Sequence, residues 1–305
     1  MRFERVVVTG GSGRLGRFVV EALAGRCTPR VLDLVPPGGE VPYLEADILD
    51  LPRLRAALAG QEAMIHLAGF DDGKAPHDKA YFETNVQGAW NVFHAAEAAG
   101  LRKLVVASST AALGLDYDRM PDYLPVDEAH PLYATGTYGH SKEVIETLAR
   151  HFARRGKLRI VCLRPTLIVR PEREAAILAQ LALPDPDGEP PADTAGPGGV
   201  RPYGALSATR TYVRSADAAR CFALALDHDG PAFDVFNVSA VDSIGRVETL
   251  ARLQQVFGRL PELRDPGRYR GDPHASILDI ARARDLVGWQ PEGDWRSIVA
   301  RHRPA

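Results

Sequence analysis

The chain has 305 residues, 45% hydrophobic and 25% charged, with a formal net charge of −2. That length suffices for one large α/β domain, or a core with a smaller lobe. The near-neutral balance excludes a surface built to grip polyanions, so nucleic acid is not an expected partner, and no apolar run approaches the ~18 residues that cross a bilayer.

The elements run as follows. "RVVVTG" (5–10) reads as a strand, "RLGRFVVEALAGR" (14–26) as a helix and "RVLDL" (30–34) as a second strand. "LPRLRAALAG" (51–60) is helical, "AMIHLAG" (63–69) a strand, and "YFETNVQGAWNVFHAAEAAG" (81–100) one long helix. The strand "KLVVASS" (103–109), the helix "YGHSKEVIETLARHFARRG" (138–156) and the strand "RIVCLRP" (159–165) follow. Runs of Val, Ile and Leu without polar alternation mark strands buried on both faces. With helices between them they predict a doubly wound parallel sheet of the Rossmann type.

After Pro165 the alternation breaks, and residues 184–204 read as a long Pro/Gly-rich loop. Order returns with "YVRSADAARCFALALD" (212–227) and the strand "DVFNVS" (234–239). The helices "GRVETLARLQQVFG" (245–258) and "ILDIARARDLVGW" (277–289) complete the chain. Cys27, Cys162 and Cys221 are scattered in apolar segments and suit a reducing compartment. The N-terminus enters a strand at once, without a basic stretch followed by a long apolar one. The expected location is cytoplasmic.

"TGGSGRLGR" lies between the first strand and the first helix, and spaces Gly10, Gly13 and Gly16 as G-x-x-G-x-x-G. Glycines there let the backbone approach a pyrophosphate at the helix N-terminus. Asp33 ends the second strand, where a carboxylate accepts from the adenosine ribose hydroxyls and repels a 2′-phosphate. NAD is therefore favoured over NADP, although Arg14 and Arg17 offer positive charge nearby. The expected organisation is an NAD-binding core over 1–165, rejoined by about 212–240. A small C-terminal substrate lobe comes from 166–211 and 241–305.

Tyr138 and Lys142 stand four apart, on one face of a helix. A phenol near pKa ~10 becomes a usable base when a cation stabilises its phenolate. The chain has five lysines among its 37 basic residues, so a lysine at this place is informative. His66 and His140 read as structural, and no His/Cys/carboxylate spacing suggests a metal.

"TGGSGRLG", "VVASST" and "YGHSK", in this order, resemble the extended short-chain dehydrogenase/reductase family, the NAD-dependent epimerase/dehydratase group. The resemblance covers nearly the whole chain. It implies Tyr138 as acid/base, Lys142 orienting the cofactor, and Ser109, ahead of Ser108, bonding the reacting oxygen. It implies a cofactor site from Gly10, Gly13, Arg14, Leu15, Gly16 and Asp33, with Asp47 and Ile48 in the adenine-contacting turn. Leu67, Ala68 and Gly69 of "HLAG", the supporting Asn85, Ala107 and Pro165 complete that set, together with Tyr138 and Lys142. Ser109, Thr110 and Arg210 are the implied substrate contacts.

Thr110-Ala111-Ala112 lacks the carboxylates that the dehydratases and decarboxylases of the group carry, which leaves epimerisation or simple oxidation and reduction. The resemblance thus points to a nucleotide-sugar epimerase or a sugar(-acid) dehydrogenase. "PTLIVRPER" departs from the usual nucleotide-sugar pattern, so both stand. The alternative is a catalytically silent NAD(P)-sensing regulator, against which the intact Tyr/Lys/Ser set argues. A homodimer is a further implication of the family.

Overall fold

A computed structural model describes residues 3–115, 119–181 and 209–302. The Pro/Gly-rich segment 184–204 lies outside the described residues. Seven strands form one parallel sheet: β1 (Arg5–Thr9), β2 (Thr28–Asp33), β3 (Tyr43–Glu45), β4 (Ala63–His66), β5 (Lys103–Ala107), β7 (Arg159–Pro165) and β10 (Phe233–Val238). Their order across the sheet is β10-β7-β5-β4-β1-β2-β3. The short β6 (Tyr123–Leu124) pairs with β11 (Glu262–Leu263), and β8 (Leu167–Val169) with β9 (Tyr212–Arg214).

Alternation along the strands sends neighbouring side chains to opposite faces. Val7, Met64, Leu104, Val106 and Cys162 pack on one face. They meet α2 (Leu51–Leu58), α4 (Gln87–Ala98) and α5 (Thr137–Arg154) through Leu54, Phe93, Ile145 and Phe152. Val6, Val8, Ile65, Val105 and Val161 pack on the other, with Val19 and Leu23 of α1 (Gly16–Leu23) and Phe222 of α7 (Ser215–Ala225). Both faces are covered, so the strands are continuous apolar runs. Two smaller apolar clusters lie apart from these. One joins Leu113, Leu124 and Val126 to Leu253, Tyr269 and Ile277, and the other joins Val169, Ile177 and Tyr212 to Trp295 and Ile298.

Several elements differ from the sequence reading, three of them as follows. The long helix expected over 81–100 is α3 (Asp78–Ala80), a π-helical turn Tyr81–Val86, and α4. The helix expected over 277–289 shortens to α10 (Ala281–Val287): Leu278 bridges Val126, and Asp279 Oδ1 accepts the Ala281 amide. A helix absent from the reading, α6 (Pro171–Leu181), follows β8. Helices α8 (Thr249–Phe257), α9 (Pro266–Gly271) and α11 (Trp295–Arg301) complete the described elements. No described helix is long and apolar enough to cross a membrane.

Candidate active site

The chain proceeds from β1 towards β3 on one side and from β4 towards β10 on the other, so a crevice opens beyond the carboxyl ends of β1 and β4. In open α/β sheets ligands bind at such a switch point. Here a cavity of about 400 Å³ occupies it, within the size range of cofactor sites.

The glycine turn forms one wall. Gly10 has φ +71°, and a Cβ on it would lie 2.7 Å from the Ala68 amide nitrogen on the opposite wall. A Cβ on Gly16 would collide with the Gly10 carbonyl oxygen. The turn closes too tightly for a side chain at Gly10 or Gly16. Gly16→Ala is expected to introduce about 1–3 kcal/mol of overpacking. If the turn opens to relieve it, dinucleotide affinity falls tenfold or more. Titration of NADH fluorescence measures this, with the thermal midpoint reporting on folding.

At the far end of the same wall the Asp33 carboxylate is fixed by backbone amides: Ser12 donates to Oδ2 at 3.0 Å and Leu34 to Oδ1 at 2.7 Å. Arg14 and Arg17 are both engaged elsewhere. Arg14 pairs with Asp71 at 3.3 Å, and Arg17 with Glu172 of α6 at 2.6 Å. This end of the cavity thus presents a held carboxylate, and both arginines flanking the turn are paired with carboxylates.

Tyr138 and Lys142 occupy the first two turns of α5 and both line the cavity. The Lys142 Nζ lies 5.5 Å from the centre of the Tyr138 ring and donates to the Ala107 carbonyl at 3.0 Å. Burial pushes the Lys142 pKa down to about 8, a shift that the nearby Asp71 carboxylate opposes. Burial also raises the Tyr138 phenol well above its ordinary value. The Asp71 charge adds to this, and a hydrogen bond with Ser109 works against it. Tyr81 stacks at a tilt on Tyr138, with ring centres 5.7 Å apart.

The two serines after β5 divide their tasks. Ser108 is buried and donates to Glu146 Oε1 at 2.6 Å. Glu146 also takes both ends of the Arg164 guanidinium, each at 2.8 Å, one helical turn beyond Lys142. Ser109 is half-buried; its oxygen accepts the Ala111 amide at 3.1 Å and stands within reach of Tyr138. The hydroxyl of Thr110 bonds the Pro165 carbonyl at 3.5 Å.

Of the residues singled out in the sequence, Gly10, Gly13, Arg14, Leu15, Gly16, Asp33, Asp47, Ile48, Leu67, Ala68, Gly69, Ala107, Tyr138, Lys142 and Pro165 line the one cavity. Asn85 stands behind it and grips the loop after β4: Oδ1 accepts the Phe70 amide at 2.7 Å and Nδ2 donates to the Phe70 carbonyl at 2.9 Å. The lining does not include Ser109, Thr110 or Arg210. Arg210 is buried just before β9, with φ +53° in the left-handed region. The lining adds Phe70, Asp71, Thr84, Ile168 and Arg170, which the sequence reading missed. Phe70, Asp71 and Arg170 sit in loops, Thr84 within the π-helical turn and Ile168 in the three-residue β8, where no periodicity marks them. His66 is buried with Nδ1 2.7 Å from the Thr9 hydroxyl, and His140 is exposed beside Glu143. Among the described residues no group of three or more His, Cys, Asp or Glu is placed to hold a metal.

The model of the NAD dependent epimerase/dehydratase family matches residues 6–239. The chain belongs to that family. It is 28% identical over 320 residues to a UDP-glucose 4-epimerase of Rhizobium leguminosarum bv. trifolii, covering 98% of this chain and 96% of that protein. An NAD-dependent glucose-6-phosphate dehydrogenase of Haloferax volcanii is 33% identical over 163 residues, 48% of this chain and 62% of the other. Among solved structures, a short-chain dehydrogenase/reductase superfamily protein from Agrobacterium tumefaciens with bound NAD superposes with a TM-score of 0.69. It is 25% identical, over 97% of this chain and 95% of that one. Membership makes the protein an NAD-dependent enzyme of the epimerase/oxidoreductase kind. The close glycine turn, the α1 N-terminus and the hydrogen-bond-accepting Asp33 together fit NAD.

Proposed function

We propose that the protein epimerises a hydroxyl-bearing carbon of a nucleotide sugar, with Tyr138 as the proton-transferring group. The observation that carries this reading is that Tyr138 and Lys142 line the dinucleotide cavity side by side, with Ser109, just outside the lining, hydrogen-bonded to Tyr138. The full-length likeness to a UDP-glucose 4-epimerase supports the substrate class.

Gly10, Gly13, Gly16 and the α1 amides would hold the NAD pyrophosphate, Asp33 the adenosine ribose, and Lys142 the second ribose. Bound NAD supplies the acceptor and donor of a hydride at the substrate carbon. Tyr138 removes the hydroxyl proton in one direction and returns it in the other. Lys142, mostly protonated at neutral pH, makes the phenolate less costly by its positive charge. Ser109 donates to the reacting oxygen and holds it against Tyr138.

Trp90, exposed on α4 and stacked on His151 of α5, supports a homodimer built on these two helices. Three unpaired thiols suit a cytoplasmic setting.

The test is incubation of the protein and NAD⁺ with UDP-glucose, UDP-galactose, free sugar acids and sugar phosphates. NADH absorbance and product stereochemistry are followed together. Inversion of a nucleotide sugar without net NADH is the expected outcome. Stoichiometric NADH from an unactivated sugar would replace this reading with a dehydrogenase, which the Haloferax relative favours over half the chain. NAD binding with no turnover of any substrate would favour a sensor.

A further inference from the structure

The cavity has two walls, the glycine turn after β1 and the loop after β4, and one ion pair joins them. Arg14 projects from the turn and Asp71 from the loop, both line the cavity, and Arg14 Nη2 lies 3.3 Å from Asp71 Oδ2. Both side chains are part-exposed, but each is anchored at its base. Asp71 Oδ1 accepts the Asp72 amide at 2.9 Å, and its carbonyl takes the Lys74 amide at 3.0 Å and the Tyr81 hydroxyl at 3.3 Å. One residue earlier, Asn85 fixes the Phe70 backbone from behind. Arg14 sits inside a turn that the Gly10–Gly16 contact leaves no room to relax.

We propose that Arg14 and Asp71 form a clasp across the mouth of the cofactor cavity, and that its opening is part of dinucleotide release. This rests on the reading of the cavity as an NAD site. Asp71 is then a positioning residue that acts on the dinucleotide through Arg14. The clasp suits an enzyme that keeps one dinucleotide over many turnovers, since each release must first separate a pair held from both walls.

The Asp71 substitution, read together with the double variant, separates the clasp from a charge effect at the pyrophosphate or on Lys142. A lone carboxylate beside a pyrophosphate repels it, so removing the charge of Asp71 would slow release if repulsion were its only role. If Asp71 holds Arg14 across the mouth, removing the charge speeds release. The pair is part-exposed on both sides, so the change expected is about two- to fivefold.

The experiment is displacement of NADH by excess NAD⁺, followed by NADH fluorescence in a stopped flow. It is run on the wild type, Asp71→Asn, Arg14→Gln and the double variant, with thermal midpoints confirming folding. Faster release in Asp71→Asn, with no further acceleration in the double variant over Arg14→Gln, is the expected result. Unchanged or slower release in Asp71→Asn, or independent effects of the two substitutions, overturns the clasp and leaves the NAD site standing. Absence of NADH binding to the wild type overturns both.

Discussion

Tyr138→Phe is expected to lower kcat/KM by about 10²–10⁴-fold, the usual contribution of a positioned acid/base, while NADH affinity stays within a few-fold of wild type. The substitution keeps the ring, its tilted contact with Tyr81 and its place on α5, and removes only the oxygen. Steady-state kinetics on the substrate found by the panel, with an NADH titration alongside, separates lost chemistry from lost binding. Turnover within a few-fold of wild type would mean that another group moves the proton. The aromatic neighbour Tyr81, whose hydroxyl is tied to the Asp71 carbonyl, would be the first to test.

The second large effect concerns stability. Arg164 and Glu146 form a two-pronged ion pair with side-chain exposures of 3% and 1%. Removing one partner strands the other charge out of water, which costs about 3–5 kcal/mol. For a chain of this length that is a fall of about 5–8 °C in Tm. Arg164→Leu is the direct form. The paired Arg164→Leu, Glu146→Leu replacement is expected to recover much of the loss, because no uncompensated charge then remains. Thermal melts of the three proteins check this. A single replacement with an unchanged Tm would mean that water reaches the pair. The pair joins β7 to α5, and Ser108 joins β5 to the same carboxylate. Loss of Glu146 therefore loosens the seat of Lys142 one turn away.

Both the sheet and the cofactor wall were legible in the chain, for one physical reason. Strands such as "RIVCLRP" and "AMIH" are buried on both faces, so they stand out as unbroken apolar runs between amphipathic helices. The glycines are forced by contacts that a single Cβ would break, and a sequence records such constraints directly. Asp71 and Arg170 left no such trace, because a single charge in a loop looks the same whether it faces a cavity or the solvent. Serines 108 and 109 are equivalent in sequence. In the fold they part: Glu146, 38 residues on, takes up the hydroxyl of the first, while the second accepts the Ala111 amide and reaches Tyr138. Helix α6 is masked in the sequence by the adjacent Pro/Gly-rich stretch, and Ile277 and Leu278 continue the apolar spacing of α10 while packing in a different cluster.

The π-helical turn Tyr81–Val86 was read as ordinary helix, since one extra residue leaves the apolar pattern nearly intact. It brings Tyr81 against Tyr138, Thr84 to the cavity and Asn85 to the back of the Phe70 loop. Deleting any one residue there would collapse the wide turn to ordinary helix and shift the residues inside it, while the helix on either side keeps its face. Shortening this stretch by a single residue therefore separates three contacts at once, whereas a point substitution beside it removes at most one.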